Sequence, residues 1–263
     1  MDLGLKGNVI AITGGGSGIG QGISRACLAE GARVVILSRD SEHVQSFLAE
    51  TERDGLPCEL IVAELAETDQ CRKAIEKIAD LYGKLDSLVN NAGCNDGVGL
   101  ESGSPERFEA SLRSNLLHYY SLAHYALPML KASRGSIVNI SSKVALTGQG
   151  KTSAYAAAKG AQLALTREWA AELIEYGIRV NAVLPAEVLT PLYESWVGSQ
   201  SDPQAALKRI TAHIPLENRM TTAAEIAAAV VFLLSPAQSG HTTAQNVVID
   251  GGYVHLDRML TVR

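Results

Sequence analysis

No stretch of this 263-residue chain is long and apolar enough to cross a bilayer as a helix. Its opening, MDLGLKGNVIAIT, carries an acid at Asp2 and runs straight into a strand, which is not the pattern of a signal peptide. The four cysteines, Cys27, Cys58, Cys71 and Cys94, form no CxxC pair and no metal-ligand spacing. They are expected to be small buried or half-buried thiols in a reducing compartment, with no metal bound. Positive charge is in deficit: 23 Lys and Arg against 28 Asp and Glu leave a net charge of -5. A nucleic-acid-binding surface is therefore not expected, and the pair Lys208-Arg209 reads as a solvated helix face. Linkers, low-complexity tracts and internal repeats are lacking as well, so residues 1–263 are expected to form one domain. These absences describe a soluble, cytoplasmic protein with neither a nucleic acid nor a membrane as partner.

What is present is alternation. Apolar, β-branched runs at Val9–Thr13, Arg33–Leu37, Glu59–Ala63, Ser87–Asn90, Ser136–Ile140, Arg179–Leu184 and Asn246–Ile249 predict strands. Helices are predicted near Ile19–Glu30, Glu42–Arg53, Gln70–Tyr82, Pro105–Lys131, Ala154–Tyr176 and Ala223–Leu234. Runs such as VVIL are apolar on both faces, as strands of a covered parallel sheet are. Alternating βα units with right-handed crossovers imply an α/β, doubly wound parallel sheet with helices on both faces. One long connection, Pro185–Arg219, contains Pro191, Pro203 and Pro215 and follows the sixth strand at its carboxyl end. Ligands bind at that edge of such sheets, so residues 185–219 are expected to form a substrate lid.

Two features carry chemistry. Tyr155 and Lys159 stand four residues apart in SAYAAAKGAQLALT, one turn apart on one helix face. A free tyrosine titrates near roughly pH 10 and is a poor base at neutrality. An ammonium held beside it favours the phenolate, which lets Tyr155 exchange a proton with an alcohol or carbonyl. Ser142, in IVNISS, supplies a hydroxyl to hold an oxygen next to it. A lone YxxxK is most often an ordinary amphipathic helix pair. The second feature weighs against that reading here. A glycine-rich loop, TGGGSGIG from Thr13 to Gly20, closes the first strand and opens the first helix. Its glycines stand as G-x-x-x-G-x-G at Gly14, Gly18 and Gly20, where a turn can bring backbone close to a pyrophosphate at a helix N-terminus.

The loop, NNAG at Asn90–Gly93, Asn115, Ser142, Tyr155 and Lys159 together resemble the short-chain dehydrogenase/reductase family, from the first strand to VVIDGGY. The resemblance implies a Rossmann-type, seven-stranded sheet, a nicotinamide dinucleotide, and the catalytic set Asn115, Ser142, Tyr155 and Lys159. In it Ser142 would hold the reacting oxygen, Tyr155 would be the acid/base, and Lys159 would bind the nicotinamide ribose and lower the tyrosine pKa. A positively charged nicotinamide ring would push that pKa the same way. Asn115 would steady a water linking Lys159 to solvent. Gly14, Ser17, Gly18, Ile19 and Gly20 would cradle the pyrophosphate, and Asn91, Ala92 and Gly93 would flank the cofactor. In PAEVLT, Pro185, Val188 and Thr190 would meet the carboxamide, with Ala186 replacing the family's glycine.

Cofactor choice falls on the end of the second strand. Relatives specific for NAD usually carry an acid at the position of Ser38; here none stands there, and Arg39 follows. A guanidinium suits a 2′-phosphate, so NADP is expected, with NAD as the alternative if Arg39 only stacks on adenine. Glu64, followed by Leu65, takes the place of the family's adenine-contacting Asp in the third strand.

Longer stretches, among them NDGVGLESG, LPAEVLTPLYESWV and SGHTTAQNVVIDGGYVHLDRML, resemble the bacterial L-fucose dehydrogenase branch. That implies oxidation of L-fucose or a related aldose at C1 to its lactone. A sugar pocket needs fixed donors and acceptors, and Asn95, Asp96, Lys143, Gln149 and Glu187 stand beside the motifs that ring the nicotinamide, Asn95, Lys143, Gln149 and Glu187 being the expected substrate contacts with Ser142 and Tyr155. Tyr193 and Trp196 could wall a sugar face, or Trp196 could be helix core. Two rivals stand beside this reading: a 3-oxoacyl-(acyl-carrier-protein) reductase, and an inactive dinucleotide-binding sensor. The family resemblance also implies a homo-oligomer, mostly a tetramer. In the tail, the apolar alternation of Tyr253, Leu256, Met259 and Leu260 among His255, Asp257 and Arg258 predicts docking across a subunit interface near a neighbouring pocket rather than fraying.

Overall fold

The computed structural model describes residues 2–256. Seven parallel strands form one sheet: β1 Val9–Thr13, β2 Arg33–Ser38, β3 Cys58–Val62, β4 Ser87–Asn90, β5 Ser136–Ile140, β6 Arg179–Pro185 and β7 Asn246–Ile249, in the order β3-β2-β1-β4-β5-β6-β7. The order reverses between β1 and β4, and the two loops leaving these strands part there to open a crevice at their carboxyl ends.

Alternation within each strand builds two cores. Ile10, Ile12, Val34 and Ile36 face α1 (Gly18–Ala29), α2 (Glu42–Arg53) and α9 (Ala223–Leu234), whose Ile23, Phe47, Ile226 and Val230 complete that layer. Val9, Ala11, Val35 and Leu37 point to the other face, against α3 (Thr68–Tyr82), α5 (His118–Ser133) and α6 (Ser153–Leu173) through Ile75, Ile78, Leu122 and Trp169. Each fully buried isoleucine or leucine of this kind contributes roughly 1.5–3 kcal/mol. The central strands are covered on both sides, which is why they read as unbroken apolar runs.

Three expectations need correction. The helix predicted over Pro105–Lys131 is α4 (Pro105–Leu112), a π-helical turn at Arg113–Leu117, and α5. The backbone carbonyl of Asn115, inside that turn, accepts from Gln162 Nε2 of α6 at 2.7 Å, a bond drawn out of the helical ladder. The connection 185–219 is not irregular: it holds α7 (Pro191–Gly198) and α8 (Pro203–Thr211). Pro191 and Pro203 sit at the first helical turns, where a missing N–H costs nothing, behind the capping side chains of Thr190 and Asp202, while Pro215 lies in a turn after α8. Proline marks helix starts here, not breaks. Glu64 lies beyond β3 rather than in it, because pairing with β2 ends at Ser38 opposite Val62.

Candidate active site

The crevice is a cleft of about 790 Å³ running from the ends of β2 and β3 to those of β5 and β6. Gly14, Ser17, Gly18 and Ile19 line its middle. Gly14 and Gly18 hold φ of 64° and 53°, which β-carbons disfavour. Gly20 is behind them and does not line the cleft: a Cβ there would stand 2.1 Å from the Gly14 carbonyl oxygen. Ser17 precedes α1 without spending its side chain on a cap, which leaves the helix N-terminus to an anion. This is a cradle shaped for a pyrophosphate, and the residues fit a dinucleotide.

Thr13 was not singled out by its sequence, yet it ties the two sides of the crevice together. Its hydroxyl accepts from the backbone N–H groups of Asn91 (2.7 Å) and Ala92 (2.8 Å). Asn91 Nδ2 returns a bond to the Thr13 carbonyl at 2.9 Å. Asn91, Ala92 and Gly93 thereby form the opposite cleft wall, where a Cβ on Gly93 would meet Asn115 Oδ1 at 2.8 Å. Cys27 and Cys71 are buried and Cys58 half-buried, as expected, but Cys94 is exposed and lines the cleft. Its backbone N–H is anchored on Asn115 Oδ1 at 2.8 Å, which carries the residue out of the core along the cleft wall.

Ser38, Arg39, Glu64 and Leu65 line the far end together. The Arg39 side chain is 81% exposed and its Nε lies 4.0 Å from Glu64 Oε2. An exposed pair at this distance is weak and leaves the guanidinium available.

At the other end, Ser142, Tyr155 and Lys159 meet on the cleft surface, with Asn115 buried behind Gly93. Ser142 starts a 3₁₀ turn at Lys143–Ala145, and its hydroxyl is hydrogen-bonded to the Tyr155 phenol. Burial pushes Tyr155 up to about 12, offset in part by Ser142. Lys159 is buried and its ammonium is pushed down to about 7 by loss of solvent. The expected lowering of the tyrosine by the lysine is therefore outweighed by desolvation of both groups. Asn115 is fully engaged: Oδ1 accepts from Cys94, and Nδ2 donates to the Ser111 carbonyl at 3.1 Å.

Pro185, Ala186, Val188 and Thr190 close this end, with Tyr193 from α7. Beside them Lys143 and Glu187 form a direct ion pair, their side chains 10% and 14% exposed. The Tyr193 hydroxyl donates to the second Glu187 oxygen at 2.7 Å, and the Lys143 ammonium lies 4.0 Å from the centre of the Tyr253 ring. Of the expected substrate contacts, Asn95 lines the cleft; Lys143 and Glu187 pair beside its end without lining it, and Asp96 and Gln149 are exposed outside it. Trp196 is half exposed, edge-on to Tyr193, and is not helix core. Nothing in the local sequence marks Tyr119, because its partners lie far along the chain; Tyr253, expected to dock, does so on Lys143 of its own chain.

A family model described as enoyl-(acyl carrier protein) reductase matches residues 14–254. L-fucose dehydrogenase of Bos taurus is 38% identical, the match covering 94% of this chain and 89% of that protein. The 3-oxoacyl-(acyl-carrier-protein) reductase of Thermotoga maritima is 36% identical, over 95% of this chain and 99% of that one. The crystal structure of Cj0485 dehydrogenase superposes with a TM-score of 0.95 at 44% identity, covering all of both chains. With the parallel seven-stranded sheet, the glycine cradle at its switch point and a match along nearly the whole length, this chain belongs to the short-chain dehydrogenase/reductase family and is an oxidoreductase built for a nicotinamide dinucleotide.

Proposed function

We propose that the protein oxidises a sugar hydroxyl with NADP, converting L-fucose or a configurationally related aldose at C1 to its lactone. The observation that carries this reading is the Lys143–Glu187 pair, nearly buried next to Ser142 and completed by the Tyr193 hydroxyl. Such a fixed set of charged and hydroxyl groups suits a ligand bearing several hydroxyls and is poorly matched to an acyl chain. The 38% identity to an L-fucose dehydrogenase supports the same class.

In this reading Ser142 holds the reacting C1 oxygen and Tyr155 receives its proton as the C1 hydride leaves. Lys159 binds the nicotinamide ribose and its charge favours the Tyr155 phenolate. Gly14, Ser17, Gly18 and Ile19 would hold the pyrophosphate, Asn91 to Gly93 would flank the ring, and Val188 and Thr190 would meet its carboxamide. The bound cofactor supplies the hydride acceptor and a positive ring charge. Arg39 takes the 2′-phosphate. The family implies a homo-oligomer, and we take a tetramer as its form.

The second reading, a 3-oxoacyl thioester reductase, is favoured by the 36% relative and by the description of the family model. One experiment separates the two: steady-state turnover of an aldose panel with NADP and with NAD, beside reduction of a 3-oxoacyl thioester with NADPH. Sugar oxidation led by L-fucose-configured substrates is expected. Thioester reduction at higher kcat/KM than any sugar oxidation would replace the sugar reading with the second one.

A further inference from the structure

We propose that Tyr119 is a positioning residue for Lys159, its hydroxyl oxygen holding the lysine ammonium charged beside Tyr155. The inference rests on the reading of Tyr155 and Lys159 as the proton-transfer pair.

Tyr119 stands on α5, forty residues before Lys159, and is completely buried. The Tyr119 hydroxyl donates its one proton to the Ile140 carbonyl at 3.0 Å. Its oxygen then faces Lys159 Nζ at 3.5 Å as an acceptor, and Nζ itself donates to the same Ile140 carbonyl at 2.8 Å. The three groups form a closed triangle at the end of β5. The ammonium also lies 5.5 Å from the centre of the Tyr155 ring, while toward Tyr119 it stands off the hydroxyl edge, 5.6 Å from the ring centre.

A buried ammonium needs an anion or several neutral acceptors. The titratable groups facing Lys159 are Tyr155 on its own helix, Tyr119 and His118 on α5, and Cys94 on the loop after β4. None of these is a carboxylate. His118 is pushed down to about 4 by burial, with its Nε2 at 3.2 Å from the Ala92 carbonyl, and so stays neutral near pH 7. What sustains the charge is therefore one backbone carbonyl, one phenolic oxygen and the Tyr155 ring. Tyr119 supplies one of those three contributions. Without it the lysine gives up its proton at lower pH, and the Tyr155 phenol loses the cation that favours its ionised form.

Tyr119→Phe removes the oxygen and keeps the ring; the Ile140 carbonyl retains Lys159, so the fold is expected to hold. The measurement is the pH profile of kcat/KM for alcohol oxidation, with thermal melting of each variant. The limb that reports ionisation of Tyr155 should move upward by about one pH unit in Tyr119→Phe, equal to about a tenfold loss of turnover below that limb, while Tm stays close to wild type. Tyr119→Met also removes the oxygen and should move the limb likewise. A folded Phe variant with the wild-type limb overturns the proposal, and so does a wild-type limb in the Met variant should the Phe variant not fold. Tyr155→Phe runs in parallel: if it keeps turnover, the proton-transfer reading itself has failed. If it is inactive while Tyr119→Phe has an unmoved limb, only the role of Tyr119 has failed.

Discussion

Lys159 shows how a side chain can serve the site and tax the fold. Its pKa falls from an ordinary 10.5 to about 7 because burial penalises the charged form. The group's folded value lies below its unfolded value, so the unfolded chain binds the extra proton between these limits. The destabilisation is then complete at and below about pH 7 and disappears as pH rises toward 10.5. Lys159→Met should therefore melt at or above the wild-type temperature at pH 7, with the gap closing by pH 10. The Ile140 carbonyl keeps its bond from Tyr119, so no buried acceptor is orphaned. Melting curves across that range check this, and a variant less stable than wild type at pH 7 would show that the burial cost is misread. Tyr155, Lys159 and Ser142 could be read from spacing because two of them share a helix face and the third ends a strand. Tyr119 could not, since its meeting with Lys159 depends on how α5 packs on α6.

At the level of elements, the loop from β1 to α1 is tightly determined. Gly20 lies under the loop rather than in the cleft, and a Cβ there would also stand 2.6 Å from Asn91 Nδ2. Gly20→Ala must push the Gly14 carbonyl outward and loosen the Asn91 wall. We expect a folded protein whose cofactor Kd rises more than about tenfold, read by fluorescence titration. Unchanged affinity would mean that the loop relaxes freely. The neighbouring strand ends set cofactor choice. Pairing of Ser38 with Val62 brings the chain beyond β2 beside that beyond β3, so Arg39 and Glu64 share one end of the cleft. The carboxylate competes with a 2′-phosphate for the guanidinium and repels it. Arg39→Ala should cost more than about tenfold in kcat/KM for NADP, and Glu64→Gln should raise it, with NAD little affected by either. A wild-type enzyme that prefers NAD refutes the assignment. The elements the sequence misjudged, α7, α8 and the π turn at Arg113–Leu117, fail for local reasons: prolines at helix starts look like breaks, and a bulge leaves no mark in periodicity.

Across the whole molecule, residues from four separate regions meet beside the Ser142 end of the cleft. Lys143 follows β5, Glu187 follows β6, Tyr193 lies on α7, and Tyr253 comes after β7. Asp250 steadies the last of these, accepting from the backbone N–H groups of Gly252 (2.8 Å) and Val254 (2.7 Å). Tyr253→Ala should raise KM for the sugar about two- to fivefold with kcat nearly unchanged, the worth of one cation–π contact of about 0.5–1 kcal/mol. A fall in kcat with unchanged KM would place Tyr253 with the proton chemistry instead. Tyr253 of the tail touches Lys143 of its own chain, and docking across a subunit interface stands as a proposal; Asp257, Arg258, Met259 and Leu260 lie outside the described residues.

The sequence by itself determined the alternation of strands and helices, the parallel sheet, and the order of the glycine loop, the serine and the tyrosine–lysine step. Each of these is written in local spacing: two residues per pleat, four per helical turn, a glycine where a β-carbon has no room. Tertiary structure alone decided which side chains complete the site, which of the expected contacts face the cleft, and which way its pKa values move. Lys143 pairs with Glu187 because parallel strands deliver the segments that follow them to one edge of the sheet, and Lys159 meets Tyr119 because α5 and α6 cover the same face of it. Desolvation likewise follows from packing, a property of the folded whole that no spacing of residues records.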